Sequence, residues 1–70
     1  MKKTNNTVLQ EVRKVFEQKL NGDPNQIVQV TFENVNYVIH HESMGAVKIE
    51  KRDIDDKSNR IIHALRSFLQ

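Results

Sequence analysis

Two adjacent histidines, His40 and His41, are the side chains whose type is best suited to chemistry. Imidazole is a common metal ligand and changes its charge near neutral pH. The residues around the pair alternate as in a β-strand, so the two rings point to opposite faces and cannot share a metal ion without a bulge. His63 lies in a predicted helix, on the face directed away from the sheet. We expect no metal site, and keep His40 and His63 as candidate binding residues.

A group of carboxylates, Asp53, Asp55 and Asp56, is the second candidate for a cation site. Its spacing lacks the regular oxygen ligands of a calcium loop. Acidic residues are also favoured where a helix begins, because its exposed N–H groups and the positive end of its dipole attract negative charge. We therefore interpret the three aspartates as the cap and first turn of a helix.

Ser43 is the hydroxyl closest in sequence to a base, because it follows His41 and Glu42 directly. Such close neighbours at a strand end do not readily form the geometry of nucleophile, base and orienting carboxylate. Gly22 and Gly45 stand alone, so the sequence contains no phosphate-binding loop or dinucleotide fingerprint. We expect no catalytic residue, no cofactor and no enzymatic activity.

The charged residues are nearly balanced, with 11 Lys and Arg against nine Asp and Glu and a formal net charge of +2. Most basic residues have an acidic neighbour, which is typical of a mixed-charge surface. If the third predicted strand and the last helix meet at one edge of the sheet, a basic stripe there can follow a phosphate backbone. Its members are Lys48, Arg52, Arg60 and Arg66. All four aromatic residues follow core periodicity, so no platform for stacking bases accompanies the stripe.

Lys19 interrupts the apolar stripe of the first predicted helix, in line with Val8, Val12 and Val15. A lysine at this position can cover the core with its methylene groups while its ammonium group reaches water. It can also meet a carboxylate of a partner protein. Both interpretations stay open, and Lys19 is a candidate binding residue.

The first helix is predicted over residues 8–20, where apolar residues recur at steps of three and four. We expect Asn6 or Thr7 as its N-cap and Asn21-Gly22 as its end. Alternating β-branched and polar residues predict strands over 26–32, 37–41 and 46–52, joined by turns at 33–36 and 43–45. A second helix is predicted to start at the cap Asp53 and to continue to residue 69, with favourable ion pairs between Asp53 and Lys57 and between Asp56 and Arg60.

These elements predict an α+β fold of two layers in the order α-β-β-β-α, a three-stranded antiparallel meander with both helices on one face. We interpret residues 1–70 as a single small domain in which residues 1–6 are flexible. The inner face is expected to carry Val28, Val30, Phe32, Tyr37, Ile39, Val47 and Ile49. The outer face is expected to carry Gln29, Thr31, Val38, His40, Lys48 and Glu50.

The small size of the chain favours association. With no cysteine the chain has no disulfide, and a sheet of three strands leaves two edges unpaired. We expect a homodimer, formed through an edge strand or through uncovered apolar helix surface. No apolar run approaches the roughly 20 residues that span a bilayer, and no signal peptide is evident, so we expect a cytoplasmic protein without a membrane partner.

The element order and the length resemble the double-stranded-RNA-binding domain over nearly the whole chain, which implies nucleic-acid binding. That family carries a Gly-Pro-x-His type element in its first hairpin loop and a lysine-rich start to its second helix. This chain has Glu33-Asn34-Val35-Asn36 and Asp53-Ile54-Asp55-Asp56-Lys57 at these places, so no functional residue is transferred. The layout is also similar to that of some small phage-encoded inhibitors, including certain anti-CRISPR proteins, which implies inhibition of a host protein.

The sequence therefore predicts a small non-catalytic protein-binding or regulatory module, encoded by a phage or mobile element and inhibiting a host protein. The alternative is a nucleic-acid-binding domain that uses the Lys and Arg edge. We expect a protein partner, and the candidate binding residues are Lys19, His40, Lys48, Arg52, Arg60, His63 and Arg66.

Overall fold

The computed structural model describes residues 5–69 and confirms the α+β fold with one antiparallel sheet in the order β1-β2-β3. Short 3₁₀ turns lie at Pro24–Gln26 and Ser67–Leu69. The helices and strands are α1 (Asn6–Leu20), β1 (Ile27–Glu33), β2 (Asn36–His41), β3 (Gly45–Glu50), α2 (Lys51–Asp55) and α3 (Arg60–Arg66). Strand β3 is shorter than predicted because the chain enters α2 directly after Glu50, which places Arg52 in a helix.

The core lies between the sheet and the helices α1 and α3, which contact each other and the sheet from one side. Central strand β2 aligns inner-face residues of its neighbours, because Ile39 faces Val30 on β1 and Val47 on β3. The helices and the last 3₁₀ turn complete the core cluster with Leu9, Val12, Phe16, Ile54, Ile61, Leu65 and Phe68.

Two residues predicted for the inner face are exposed. A bulge between Ile27 and Gln29 breaks the alternation, so Ile27 is fully buried while Val28 is 47% exposed. Phe32 keeps its place opposite Tyr37, with ring centroids 5.2 Å apart, but is 43% exposed. Helix α1 begins beside Val30 and runs away from the hairpin turn, so it does not cover Phe32.

Helix α1 has a different N-cap from the predicted one. The Asn5 side chain accepts a hydrogen bond from the Val8 N–H at 3.0 Å, and Asn6 is already helical. Of the residues predicted to be flexible, Asn5 and Asn6 therefore belong to the start of α1, and residues 1–4 lie outside the described part of the chain.

The predicted end of α1 is confirmed, with separate roles for its two residues. Asn21 adopts the left-handed conformation with φ of 55°, and its N–H bonds to the Glu17 carbonyl at 3.1 Å. Gly22 supplies space, because a Cβ atom there would lie 2.5 Å from the Phe16 ring.

The second helix is divided, and the prediction of one helix capped by Asp53 is wrong. Asp53 lies inside α2, and Lys57 adopts φ of 53° after it. The Lys57 N–H bonds to the Ile54 carbonyl at 3.1 Å and the Ser58 N–H to the Asp53 carbonyl at 2.9 Å, which is a Schellman ending. The Ser58 hydroxyl then accepts the Arg60 N–H at 3.1 Å as α3 begins.

This break changes the predicted ion pairs, because Asp53 and Lys57 no longer share a helix, nor do Asp56 and Arg60. Lys57 instead lies 3.5 Å from the Glu11 carboxylate on α1.

Candidate functional site

The edge formed by β1 is partly closed by the start of α1. The Val30 carbonyl accepts a hydrogen bond from the Asn5 N–H at 2.8 Å, just before α1 begins. The Ile27 carbonyl accepts another from Nε of Arg13, which lies further along α1, at 2.9 Å. These bonds engage two outward-facing carbonyls of β1, so a further strand has fewer partners to bind there than on an uncovered edge.

The edge formed by β3 has the opposite character. The Lys51 N–H bonds to the Val35 carbonyl at 2.9 Å, and these two residues are the next pair in the register of β3 against β2. Because hydrogen-bonded and non-hydrogen-bonded pairs alternate along an antiparallel ladder, this bond shows which residues of β3 bond to β2. Odd-numbered residues of β3 therefore direct their backbone groups toward β2, and Ala46 and Lys48 direct theirs away from the sheet. Within residues 5–69 no hydrogen bond reaches these N–H and C=O groups, which we call the β3 edge.

The side chains that flank the β3 edge differ between the two faces of the sheet. On the outer face Ala46 and Lys48 are exposed and stand next to His40 and Val38 of β2. Val38 lies on the outer face as predicted, and it is buried in the centre of that face between Thr31 and Lys48. On the inner face Val47 is half-buried against the core.

His40 lies on the outer face as predicted. Its Nε2 is 3.2 Å from the Thr31 hydroxyl, a hydrogen bond that spans β1 and β2. His40 is paired with Ala46 in the register, so it lies one strand away from the β3 edge.

Two ion pairs lie where β3 meets α2. Arg52 contacts the Glu50 carboxylate at 2.8 Å, and Lys51 contacts that of Asp55 at 2.6 Å. The hydrogen bond and the negative charge of Asp55 raise the pKa of Lys51 above its ordinary value. Together with Phe32 and Val35, these four residues line a shallow cleft of about 440 Å³.

The sequence analysis missed the structural role of His41. This residue is buried, with 7% exposure. Its Nδ1 accepts hydrogen bonds from the N–H groups of Ser43 and Met44, both at 3.1 Å. Its ring packs on Phe68 with centroids 4.8 Å apart, and within residues 5–69 its Nε2 has no hydrogen-bond partner. His41 thus holds the turn from which β3 starts. His41 follows Tyr37 and Ile39 at steps of two along the strand, and both were predicted to face inward, so the alternation could have identified His41 as an inward-facing residue.

Lys19 is exposed and lines a cleft of about 320 Å³ between α1 and the start of α3. The residues Glu11, Val15 and Lys19 follow one another at four-residue steps along α1, so they share one face of that helix. The opposite wall consists of Lys57, Ser58, Asn59, Ile61 and Ile62.

The predicted basic stripe is divided between the two layers. Helix α3 does contact β3, but Lys48 lies on the outer face of the sheet. Arg60 and Arg66 are exposed on α3 in the helical layer, as is His63. Arg52 is engaged with Glu50 at the end of β3.

Among the described residues, no group of three or more His, Cys, Asp or Glu side chains could hold a metal ion. No helix in this part of the chain is long and apolar enough to cross a membrane. Comparisons of the chain with models of protein families, with curated proteins and with solved structures find no match.

Proposed function

We propose that the protein is a non-catalytic protein-binding module that receives an extended strand of a partner along the β3 edge. The supporting observation is that the outward N–H and C=O groups of Ala46 and Lys48 have no partner within residues 5–69. A strand that pairs with such an edge gains main-chain hydrogen bonds, and its alternate side chains give specificity.

The rigidity of β3 supports the same proposal. Strand β3 is paired with β2 along its whole length, from Gly45 to Glu50, and is contacted by α2 and α3 from the inner side. A strand that is already ordered pays little conformational entropy when it binds, which favours affinity.

We propose a regulatory role that uses this mode of binding. A small domain that pairs with a strand of another protein covers that strand and keeps it from its usual contacts. This is the way in which we propose that the protein acts as a regulator or inhibitor, with a phage or mobile element as its source.

The nucleic-acid alternative predicts a different behaviour. It requires a short RNA or DNA duplex to bind with an affinity that falls steeply as salt rises. The separation of Lys48 from Arg60 and Arg66 between two layers makes strand binding the better supported function.

The test selects binders from a library of random 12-residue peptides and compares their affinities for two variants. Lys48→Pro removes the outward N–H without removing a bond to β2, whereas Lys48→Ala removes the same charge and keeps the N–H. We expect selected peptides to bind the alanine variant and to lose at least tenfold in affinity for the proline variant. Equal affinity for both variants, or a library without any such peptide, would refute the proposal.

A further inference from the structure

The side chains of β3 specify the chemistry of the partner strand, an inference that rests on the proposed function. We infer that this strand belongs to a different protein, that it carries a carboxylate opposite Lys48, and that an apolar residue adjacent in its sequence lies beside Val47. Acidic and apolar residues are thus neighbours in the partner, because successive side chains of a strand point to opposite faces.

Lys48 supplies the charge that selects the carboxylate. It is exposed in the middle of β3, and across the sheet its neighbour is the apolar Val38. The acidic residue nearest along the same face of β3 is Glu50, which is already engaged with Arg52 at 2.8 Å. Within residues 5–69 no carboxylate lies within ion-pair distance of Lys48, and opposite charges placed directly across two strands attract each other.

Val47 supplies the apolar contact on the inner face. It is half-buried and packs against the core cluster, and one side of it stays open because β3 is the last strand of the sheet. An apolar side chain of a fourth strand extends the buried layer there, whereas a charged one would be desolvated without a partner.

A second copy of this chain is a poor occupant of the β3 edge. Antiparallel pairing that engages both residues of the edge sets Lys48 opposite Ala46 of the other copy. The two Lys48 side chains then become diagonal neighbours on one face, where like charges repel each other. Lysine in the middle of an edge strand is a known protection against self-pairing.

The experiment repeats the peptide selection on the natural chain and on Lys48→Glu, with Lys48→Pro as a counter-selection that removes peptides bound elsewhere. We expect Asp or Glu next to an apolar residue in the peptides selected by the natural chain. The same position should change to Lys or Arg in those selected by Lys48→Glu. Individual acidic peptides should bind Lys48→Glu at least fivefold more weakly than the natural chain.

The outcomes separate this inference from the proposed function. The informative peptides are those that bind the natural chain or Lys48→Glu but not Lys48→Pro. If such peptides carry the same charge whether they were selected by the natural chain or by Lys48→Glu, the inference is overturned and strand binding stays in place. A library without peptides that Lys48→Pro rejects overturns both. Sedimentation is expected to show the same oligomeric state for the natural chain and for Lys48→Pro, whereas a dimer that Lys48→Pro abolishes would identify a second copy as the occupant and overturn the inference.

Discussion

The two edges of the sheet have the same backbone chemistry but differ in how the rest of the chain covers them. Strand β1 is flanked by the start of α1, and Asn5 and Arg13 bond to two of its outward carbonyls. Strand β3 passes directly into α2 after Glu50, so the chain turns toward the helical layer, and within residues 5–69 no segment covers the outward backbone groups of Ala46 and Lys48. The comparison indicates that tertiary contacts of α1, rather than the sequence of the strands themselves, distinguish the two edges.

The largest effect on the two edges is expected from a proline at a residue of β3 whose N–H bonds to β2. Val47→Pro removes an N–H that faces β2, and leaving a buried carbonyl unpaired costs about 1–3 kcal/mol before the lost side-chain contacts are added. Since a domain of this size has only roughly 3–5 kcal/mol of stability, we expect it to be largely unfolded. Lys48→Pro should cost about 1 kcal/mol or less, because its N–H faces away from the sheet.

Urea denaturation followed by circular dichroism measures both free energies of unfolding, and Lys48→Ala reports the effect of the side chain alone. Similar losses for the two proline variants would show that residue 48 takes part in the ladder and that the β3 edge is not free.

The turn that starts β3 gives the next largest effect. His41→Phe keeps an aromatic ring against Phe16 and Phe68 but removes the acceptor of two N–H bonds, those of Ser43 and Met44. Each lost hydrogen bond costs about 0.5–1.5 kcal/mol net, and removal of the buried Nε2, which has no partner within residues 5–69, offsets part of this, so we expect a net loss of about 1–2 kcal/mol.

Thermal or urea unfolding checks the size of this loss, and hydrogen exchange should show faster exchange at residues 43 and 44. His40→Phe is the matched control, since His40 lies on the outer face and makes one bond to Thr31. Unchanged protection of the turn in His41→Phe would contradict the role assigned to the His41 ring.

The elements of the fold could be predicted because their periodicity is local. Apolar spacing over α1 and alternation over the strands locate each element within a few residues. The break between α2 and α3 could not be predicted, because it depends on Lys57 in a left-handed conformation that lysine seldom adopts. The bulge at Val28 could not be predicted either, because Val28, Val30 and Phe32 alternate regularly in the sequence and give no sign of a change in register.

The candidate site was predictable only in part. The sequence indicated that a three-stranded sheet has unpaired edges, and it named Lys48. It could not show which edge is free, because closure of β1 depends on the tertiary contacts of Asn5 and Arg13. His41 was within reach of the alternation rule, but its hydrogen bonds to the following turn appear only in three dimensions.

The smallest expected effect concerns the closed edge. Arg13→Met keeps most of the methylene length of the side chain and removes the donor to the Ile27 carbonyl, which should cost about 1 kcal/mol. Lys14→Met is the matched control on the same helix, and because Lys14 is exposed we expect its effect to stay within about 0.5 kcal/mol. Urea denaturation measures both.

Peptide binding adds a second measurement on Arg13→Met. Since β1 and β3 lie on opposite sides of β2, peptides selected on the β3 edge should bind Arg13→Met with unchanged affinity. Equal destabilisation by the two methionine variants would mean that Arg13 does not close β1. A loss of peptide binding in Arg13→Met would place the peptide near β1, and the contrast between a closed and a free edge would then be reversed.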